Sequence, residues 1–370
     1  MLKILVFTTD LDFYSEQLLS GISRLGHDVA CVVDPSQFEK FAKRNSTLSI
    51  VAKVSVKGRL DKAASKRYTE LIVMYEPDIC LCYTSRALSV ALKAKRDSRL
   101  RVPIIGTRGA IGGISCWQLE DWFSYLNPSL SAVICMSEAI QNRLVRQARK
   151  LWASHPGNFV TIYQGYSSLV SSAATRHHCK RLIESPRVIA TIANERPIKG
   201  MSFFLDTLEY HLNFDNWKFL WIGEVSESTQ KRIASSPRLR DRVVCLGYRR
   251  DARSLRAGAD LYVQPTLSPG EGIGNSIAEA MAAELAVVTS NVGGALELVS
   301  AVSTELLFEP ANSHSLARTL EKFLADPALC ERLGRAGPEI LIKRFQLDRE
   351  IQLHIDLFQT TRLPRLGLYA

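Results

Sequence analysis

The sequence lacks the features that mark several broad classes of protein. It has no apolar run long enough to span a membrane, no internal repeat and no low-complexity tract. Its eight cysteines show no paired spacing, so we expect buried free thiols in a reducing cytoplasm rather than a disulfide framework. Cys80 and Cys82 share one predicted strand, and we expect them to point to opposite faces and to stay unbonded. These absences exclude an integral membrane protein, a repeat array and a disulfide-stapled domain.

The sequence also lacks clusters of metal ligands and segments typical of nucleic-acid-binding surfaces. His177, His178 and Cys179 are adjacent, but no second group of ligands stands at a useful spacing. That segment therefore favours a solvated linker, and we expect no metal. No stretch interleaves basic and aromatic residues as nucleic-acid-binding surfaces do, so we expect no nucleic-acid partner.

The sequence does contain enough apolar material for two domains. Its 370 residues exceed the usual size of one core, and 46% of them are hydrophobic. Strand-like apolar runs alternate with helical spacing, which predicts an α/β fold of two doubly wound, Rossmann-like domains. The apolar run in the first residues is too short for a signal sequence and favours a buried strand. We predict strands in the first half near Lys3–Phe7, Asp28–Val33, Asp78–Tyr83, Pro103–Thr107, Ala132–Met136 and Phe159–Tyr163.

The stretch from Pro265 to Val299 carries the strongest chemical signal. It reads as a Gly-rich loop, an apolar helix near 277–283, a short strand and a Gly293-Gly294 turn. Glycines let the backbone approach a ligand closely, and a helix N-terminus with exposed N–H groups suits a phosphate. We expect Asn275 and Ser276 to cap the helix. The residues of this loop that we expect to bind the ligand are Gly272, Ile273, Gly274, Asn275 and Ser276.

Two glutamates, Glu271 and Glu279, flank the start of that helix with seven residues between them. Carboxylates accept hydrogen bonds from sugar hydroxyls, so the pair is suited to hold two hydroxylated rings. The alternative is a capped surface helix with solvated glutamates. The Gly-rich entry and the second glycine turn favour the site.

A second cluster follows the strand that begins at Arg187. The turn Asn194-Glu-Arg-Pro-Ile-Lys-Gly200 places Arg196 and Lys199 at a strand end, where open α/β sheets bind ligands. Two fixed cations there suit a diphosphate whose negative charge grows as its bond to a sugar breaks. Two exposed bases on a surface loop are the alternative, and the turn alone does not decide between them.

Together these segments resemble the C-terminal half of retaining GT-B glycosyltransferases of family four. The resemblance runs from about Arg187 to Phe345 and includes WKFLWIGE, DRVVCLGYRRDARSLRAGADLYVQPT and a late KRF element. It implies two Rossmann-like domains facing across a cleft and transfer of a sugar from a nucleoside diphosphate sugar with retention of configuration. It implies no metal and no cofactor beyond that donor substrate.

The resemblance also assigns roles to residues. Arg196 and Lys199 would bind the diphosphate, Glu271 the donor sugar and Glu279 the ribose, while the backbone at Gly247 and Tyr248 would contact the base. The implied acceptor is a glycan or lipid-linked glycan in bacterial surface polysaccharide or lipopolysaccharide synthesis.

The chain departs from the family in its first half. The family often has a histidine near the reacting carbon, and Arg108 stands at that position, after the strand Val102 to Thr107. A guanidinium cannot act as a base, but it can stabilise a phosphate or an acidic acceptor. In retaining transfer the leaving diphosphate can itself accept the acceptor's proton, so we expect catalysis without that histidine.

The resulting domain prediction has four parts. They are an acceptor domain over 1–170, a linker over 171–186, a donor domain over 187–345 and a helix over 346–370 that returns to the first domain. The periodic spacing of 338–357 predicts this last helix.

The formal charge of +10 is concentrated in the first half. Residues 1–175 hold 22 Lys and Arg against 14 Asp and Glu. The helix around Arg143 to Lys150 has an apolar side and a basic side, which favours core packing with a solvated face. Docking on an anionic membrane surface at the inner face of the cytoplasmic membrane is the second interpretation.

Two other function classes remain open at the level of the sequence. One is a GT-B relative with another activity, such as a sugar-nucleotide epimerase. The other is a non-catalytic binding protein that kept the donor pocket, which the missing histidine motivates.

Overall fold

The protein consists of two α/β units. The structure is a computed structural model that describes residues 1–38, 48–113, 115, 117, 119–151, 159–172, 187–213, 215–267 and 272–362. The first unit comprises Met1–Gly165 and Leu347–Ala370, and the second comprises Tyr166–Gln346. The predicted linker lies outside the described residues from residue 173 onward, as does the His177–Cys179 segment.

The first unit is built on a seven-stranded parallel sheet in the order β3-β2-β1-β4-β5-β6-β7. Six of these strands coincide with the predicted ones to within two residues at each end. The seventh, β3, alternates exposed and half-buried residues at the sheet edge, and its sequence SIVAK has an apolar run of only three residues, too short to reveal it. The strands are β1 (Lys3–Thr8), β2 (Asp28–Val33), β3 (Ser49–Lys53), β4 (Ile79–Cys82), β5 (Ile104–Arg108), β6 (Ala132–Cys135) and β7 (Phe159–Thr161).

Helices cover both faces of this sheet, as a doubly wound fold requires. Asp12 caps the first helix by accepting from the Ser15 amide at 2.8 Å, because its short carboxylate reaches an N–H that the helix leaves unpaired. The helices of this unit are α1 (Phe13–Arg24), α2 (Lys62–Tyr75), α3 (Ser85–Asp97), α4 (Leu119–Trp122), α5 (Glu138–Leu151) and α14 (Leu347–Thr361).

Alternate residues of the central strands fill two separate cores. Cys80 and Cys82 lie in the same core cluster, on the face opposite Ile79 and Leu81. The expectation that the two cysteines point to opposite faces is therefore wrong, because residues two apart on a strand share a face. Both thiols are free, as expected.

The last helix, α14, groups with the first unit and packs on α1. Its apolar side contributes Ile351, Ile355 and Phe358 to the core. The helical spacing of 338–357 spans two helices, since α13 ends at Arg344 and α14 runs over Leu347–Thr361, close to the predicted start at residue 346. The break is stabilised at Phe345, whose carbonyl accepts from the Tyr166 amide at 2.7 Å.

Two titratable residues of α14 also lie on its buried side. The Glu350 carboxylate accepts from the Gly165 amide at 2.8 Å, and the His354 ring bonds the Glu350 carbonyl. Burial raises the pKa of Glu350 to about 8, despite the lowering effect of the Gly165 amide, and the charge of Asp12 adds to the rise. Burial lowers the pKa of His354 to about 4. Both groups are therefore neutral in the folded protein near pH 7.

This buried carboxyl predicts a pH-dependent stability. A raised pKa means that the folded state holds a proton that the unfolded state has released. The contribution of Glu350 to the free energy of unfolding is therefore greatest below about pH 4.5 and is lost as pH rises toward about 8. The titration of His354 changes the free energy of unfolding only below about pH 6.5. Between pH 6.5 and 8 we therefore expect Glu350 to lower the free energy of unfolding by about 1–2 kcal/mol. In Glu350→Gln, the free energy of unfolding measured with denaturant should no longer fall with pH in this range.

The control is Glu70→Gln, which changes a carboxylate of the same unit whose side chain is 47% exposed. It should keep the wild-type pH slope. Equal slopes in wild type and Glu350→Gln would show that Glu350 is not a buried neutral acid.

The second unit has a six-stranded parallel sheet in the order β10-β9-β8-β11-β12-β13. Its strands are β8 (Arg187–Ile192), β9 (Trp217–Ile222), β10 (Val243–Cys245), β11 (Leu261–Gln264), β12 (Ala286–Ser290) and β13 (Leu307–Phe308). Its helices are α6 (Ser167–Ser172), α7 (Met201–Tyr210), α8 (Glu227–Ser235), α9 (Ala252–Ala257), α10 (Asn275–Ala282), α11 (Gly293–Val299), α12 (Ser313–Ala325) and α13 (Pro327–Arg344), with 3₁₀ turns at Pro197–Lys199 and Thr304–Leu306. The predicted fold class, two doubly wound α/β domains, is confirmed.

Candidate functional site

The candidate site lies where the strand order of the second unit reverses. From β8 the chain first builds outward through β9 and β10, then returns to place β11 on the other side of β8. The loops that leave β8 and β11 therefore diverge to opposite faces and open a crevice at the carboxyl edge. Ligands of doubly wound sheets bind at such switch points.

The loop after β8 holds the two predicted cations. Arg196 has extended backbone and is exposed, and Lys199 is half-buried at the end of a 3₁₀ turn that starts at Pro197. Proline fixes the φ angle that the turn needs, and Gly200 ends it in the left-handed region with φ 68°. The turn therefore sets Arg196 and Lys199 three residues apart at the mouth of the crevice.

This turn is joined directly to the loop after β11. The Leu267 amide donates to the Ile198 carbonyl at 3.0 Å. A Cβ atom at Gly200 would lie 1.9 Å from the Pro265 carbonyl oxygen, so only glycine permits this approach. The two segments that the sequence singled out separately thus form one structure.

Helix α10 begins in the same place, but without the predicted caps. Its N-cap is Gly274, which has no side chain that could accept from the first-turn amides. The Asn275 side chain instead accepts from the Tyr166 hydroxyl at 2.9 Å, and the Ser276 hydroxyl donates to Gln264 at 3.3 Å. The prediction that Asn275 and Ser276 cap the helix is wrong, because both side chains face neighbouring elements. α10 thus begins with a glycine N-cap after β11, at the carboxyl edge of the sheet, and a helix N-terminus there is suited to an anion.

The second glycine turn supports the loop that precedes α10. A Cβ atom at Gly294 would lie 2.6 Å from the Ile273 amide nitrogen and 2.7 Å from the Gly272 carbonyl carbon. Gly272 is buried, while Ile273 and Gly274 are half-buried. The start of α11 thus packs against the backbone at Gly272 and Ile273 and fixes the entry to α10.

Of the two predicted glutamates, the structure describes only Glu279. Glu271, with Ser268, Pro269 and Gly270, lies outside the described residues, so its role stays a prediction. Glu279 lies in the second turn of α10 and is paired with two arginines of α9. Arg253 Nη2 lies 2.8 Å from Oε1, and Arg256 Nη1 lies 3.2 Å from Oε2. Sequence reasoning missed both arginines, whose only signal was their spacing of three residues on a helix.

Gly247 and Tyr248 follow β10 at the same edge of the sheet. Gly247 has φ 65°, and its carbonyl accepts from the Gly223 amide at 2.9 Å, which ties the ends of β9 and β10. The Tyr248 side chain is 72% exposed. The predicted base-contacting segment is thus on the edge that carries Arg196 and Lys199, two strands away from β8.

One anchoring residue of this edge was missed inside the NERPIKG motif. Glu195 accepts from the Ser226 amide and the Thr229 hydroxyl, both at 2.6 Å, and so contacts the start of α8, whose N-cap is Ser226. Burial raises the pKa of Glu195, but these hydrogen bonds outweigh it and hold the pKa below its usual value. Glu195 therefore connects the cation-bearing loop to the next helix.

Arg108 belongs to the first unit, at the end of β5. Its guanidinium donates to the Ala110 carbonyl at 2.7 Å and to the Gly112 carbonyl, and it lies 4.9 Å from the centre of the Tyr125 ring. The Tyr125 hydroxyl in turn donates to the Thr107 carbonyl. Arg108 thus organises its own loop, and its predicted catalytic role stays a prediction.

The described residues add neither a metal centre nor a membrane-spanning helix to this site. In the part of the chain that the structure describes, no group of three or more His, Cys, Asp or Glu side chains is arranged to hold a metal ion. Within the same residues, no helix combines the length and apolarity needed to cross a bilayer.

A known sequence family matches the part of the chain that carries this site. Residues 186–326 match the family described as Glycosyl transferases group 1. The chain is 34% identical over 112 residues to the lipopolysaccharide core biosynthesis mannosyltransferase LpcC of Rhizobium leguminosarum bv. viciae, covering 30% of this chain and 31% of LpcC. It is 31% identical over 136 residues to the capsular polysaccharide biosynthesis glycosyltransferase CapM of Staphylococcus aureus, covering 35% and 34%. The chain thus spans about a third of the length of these curated relatives.

Solved structures resemble the chain over nearly its whole length. HepE of Anabaena, in complex with UDP, superposes with a TM-score of 0.74 at 19% identity and covers 97% of this chain and 100% of its own. A glycosyltransferase from Rickettsia africae gives a TM-score of 0.74 at 16% identity, with 97% and 98% covered. At these identities the likeness shows the fold. The chain therefore has the GT-B fold, and its residues 186–326 are similar to the family described as Glycosyl transferases group 1.

Proposed function

We propose that the protein is a retaining, metal-independent glycosyltransferase. It would move a sugar from a nucleoside diphosphate sugar to a glycan or lipid-linked acceptor in bacterial surface polysaccharide or lipopolysaccharide synthesis. The family match over 186–326 and the names of the relatives LpcC and CapM support the reaction class and the pathway type. The observation that carries the proposal is the bond from the Leu267 amide to the Ile198 carbonyl, which joins the two ligand-suited segments at the switch point.

The geometry suits the charge that develops in this reaction. As the glycosidic bond to the diphosphate breaks, negative charge accumulates on the phosphate oxygens. Arg196, Lys199 and the first-turn amides of α10 are fixed donors that stabilise this charge without reorganising. Glu279 would accept from the ribose hydroxyls, and Glu271 from the donor sugar.

The proton of the acceptor needs a destination once its hydroxyl attacks. In retaining transfer the departing diphosphate can take this proton on the same face as the attack. The protein then has to position the two substrates and stabilise the leaving group, rather than supply a base. This mechanism is consistent with an arginine at position 108.

The basic side of α5 is the proposed contact with an anionic membrane. Ile140, Leu144 and Ala148 are buried in the core, while Arg143 and Arg146 are exposed on the other side. Such a face would bring the enzyme to lipid-linked acceptors at the inner face of the cytoplasmic membrane, with about 1 kcal/mol for each basic residue near the surface.

The test is donor use by the wild-type protein. We expect one nucleoside diphosphate sugar of a panel of UDP-, GDP- and ADP-sugars to be consumed, with release of the nucleoside diphosphate in the presence of EDTA. With an accepted acceptor, NMR should show the same anomeric configuration in donor and product. Inverted product, or turnover that EDTA abolishes, would contradict the mechanism.

A second candidate is a nucleotide-sugar-binding protein without transfer activity. It is favoured by the Arg108 side chain, which bonds its own loop carbonyls where the family has a histidine. Tight binding of a nucleotide sugar with neither hydrolysis nor transfer, across the acceptors tried, would support it. Conversion of the donor to its epimer would identify the other alternative.

A further inference from the structure

The carboxylate of Glu279 is held on both oxygens by arginines from one short helix. Arg253 approaches Oε1 with Nε at 3.0 Å and Nη2 at 2.8 Å, and Arg256 approaches Oε2 with Nη1 at 3.2 Å. These residues lie 26 and 23 positions before Glu279, on α9, so the contacts exist only because α9 packs beside α10.

The two arginines differ sharply in their surroundings. The Arg253 side chain is 51% exposed, whereas that of Arg256 is 2% exposed and that of Glu279 is 14% exposed. An exposed ion pair contributes little and exchanges readily with water. A buried guanidinium is costly to desolvate and is retained only with a well-placed partner. Arg256 therefore fixes the carboxylate from beneath, and Arg253 contacts it from the solvent side.

The position of Arg256 is itself set by the strands at the switch point. Its guanidinium carbon lies 5.9 Å from the centre of the buried Tyr262 ring. The Tyr262 hydroxyl accepts from the Ile192 amide and donates to Gln264, both at 3.3 Å, and thus links β8 to β11. Through Arg256, the sheet beneath the crevice determines where the Glu279 carboxylate points.

We propose that Arg256 is a positioning residue, which orients the Glu279 carboxylate for recognition of the ribose of the donor nucleotide. This inference rests on the proposed function, since it takes Glu279 as the ribose ligand. A carboxylate can accept about four hydrogen bonds. Arg253 and Arg256 supply three of them, so one remains for a ribose hydroxyl, and a second hydroxyl would replace a contact of the exposed Arg253. Orientation matters because the vicinal 2′- and 3′-hydroxyls present two donors in a fixed geometry.

The test compares UDP with its 2′,3′-dideoxy analogue by calorimetry, or GDP with its analogue if GDP binds more tightly. Wild type should bind the dideoxy form roughly ten- to a hundredfold more weakly, as expected for loss of hydrogen bonds to a charged group. In Glu279→Gln and in Arg256→Met this ratio should fall below about threefold. Methionine keeps an unbranched apolar side chain over Tyr262 while removing the guanidinium.

The matched control is Arg232→Met, which removes another ion-pairing arginine of the same unit. Arg232 lies on α8 and pairs with Asp206 and Glu209 of α7. It should lower thermal stability and leave the wild-type ratio unchanged. Circular dichroism and thermal melting of each variant separate a changed ratio from a misfolded protein.

The outcomes separate this inference from the proposed function. If Glu279→Gln loses the ratio while Arg256→Met keeps it, the positioning role is overturned and the ribose role of Glu279 stands. If Arg253→Ala loses the ratio and Arg256→Met does not, the exposed arginine is the positioning residue instead. If wild type binds neither nucleoside diphosphate, the proposed function fails together with the inference.

Discussion

Replacing Lys199 by alanine should lower the rate of sugar transfer by roughly 10²–10³-fold, the effect of removing one fixed donor from a developing anion. The ammonium belongs to a turn that Gly200 and the bond from Leu267 to Ile198 fix against the loop after β11. Negative charge on the diphosphate grows as its bond to the sugar breaks, so the loss should fall mainly on kcat. Arg196→Ala should act in the same direction, and Lys199→Arg should recover part of the rate.

The matched control is Lys231→Ala. That lysine lies on α8, its side chain is 75% exposed, and it pairs with Glu227. We expect wild-type transfer in this variant. Initial rates of nucleoside diphosphate release measure both. A Lys199→Ala variant with the wild-type rate would remove Lys199 from the site.

Gly200→Ala should disrupt the site through the backbone. The added Cβ would lie 1.9 Å from the Pro265 carbonyl oxygen, and alanine would also have to adopt φ 68°. The cation-bearing turn must then move away from Pro265. We expect transfer to fall by roughly 10²-fold or more, because small displacements of positioning groups cost that much. Stability should fall by about 1–3 kcal/mol.

Gly26→Ala is the control that separates strain from collision. Gly26 has φ 86°, but no atom lies within 4 Å of the added Cβ. It should lose about 1–2 kcal/mol of stability and keep full activity. Activity assays and denaturant unfolding check both variants. Full transfer by a folded Gly200→Ala variant would contradict the contact between the two loops.

The sequence predicts the fold well wherever a strand is buried on both faces. Strands β1, β2, β4 and β6 each contain a continuous apolar run of four or five residues, so they stand out without any knowledge of neighbours. The edge strand β3 has no such run, since half of its side chains meet solvent. The apolar period continues through the break after Arg344, so the boundary predicted at 345/346 came from the family resemblance and not from the periodicity.

At the site, the sequence predicted the turn but not the partners of the side chains. Pro197 and Gly200 define their turn locally, so its place at a strand end follows from the sequence. Asn275 and Ser276 are good caps by residue type, but Tyr166 and Gln264 take their side chains. These competitors are distant in sequence, and only the folded chain brings them close.

The buried ionisable residues show the same limit. Glu350 and His354 stand four residues apart on the apolar side of α14, among Ile351 and Ile355. That placement was a usable signal of a buried carboxyl. Arg256 gave none, because an arginine on a short polar helix is ordinarily exposed, and its burial depends on Glu279 and Tyr262.

The most direct test of the account is a crystal structure of the wild-type protein with the nucleoside diphosphate that it binds. We predict that the diphosphate lies at the switch point, within hydrogen-bond distance of Lys199 Nζ and of the first-turn amides of α10. A diphosphate bound at the edge beyond β10, or with the 196–200 turn directed away from it, would contradict the account.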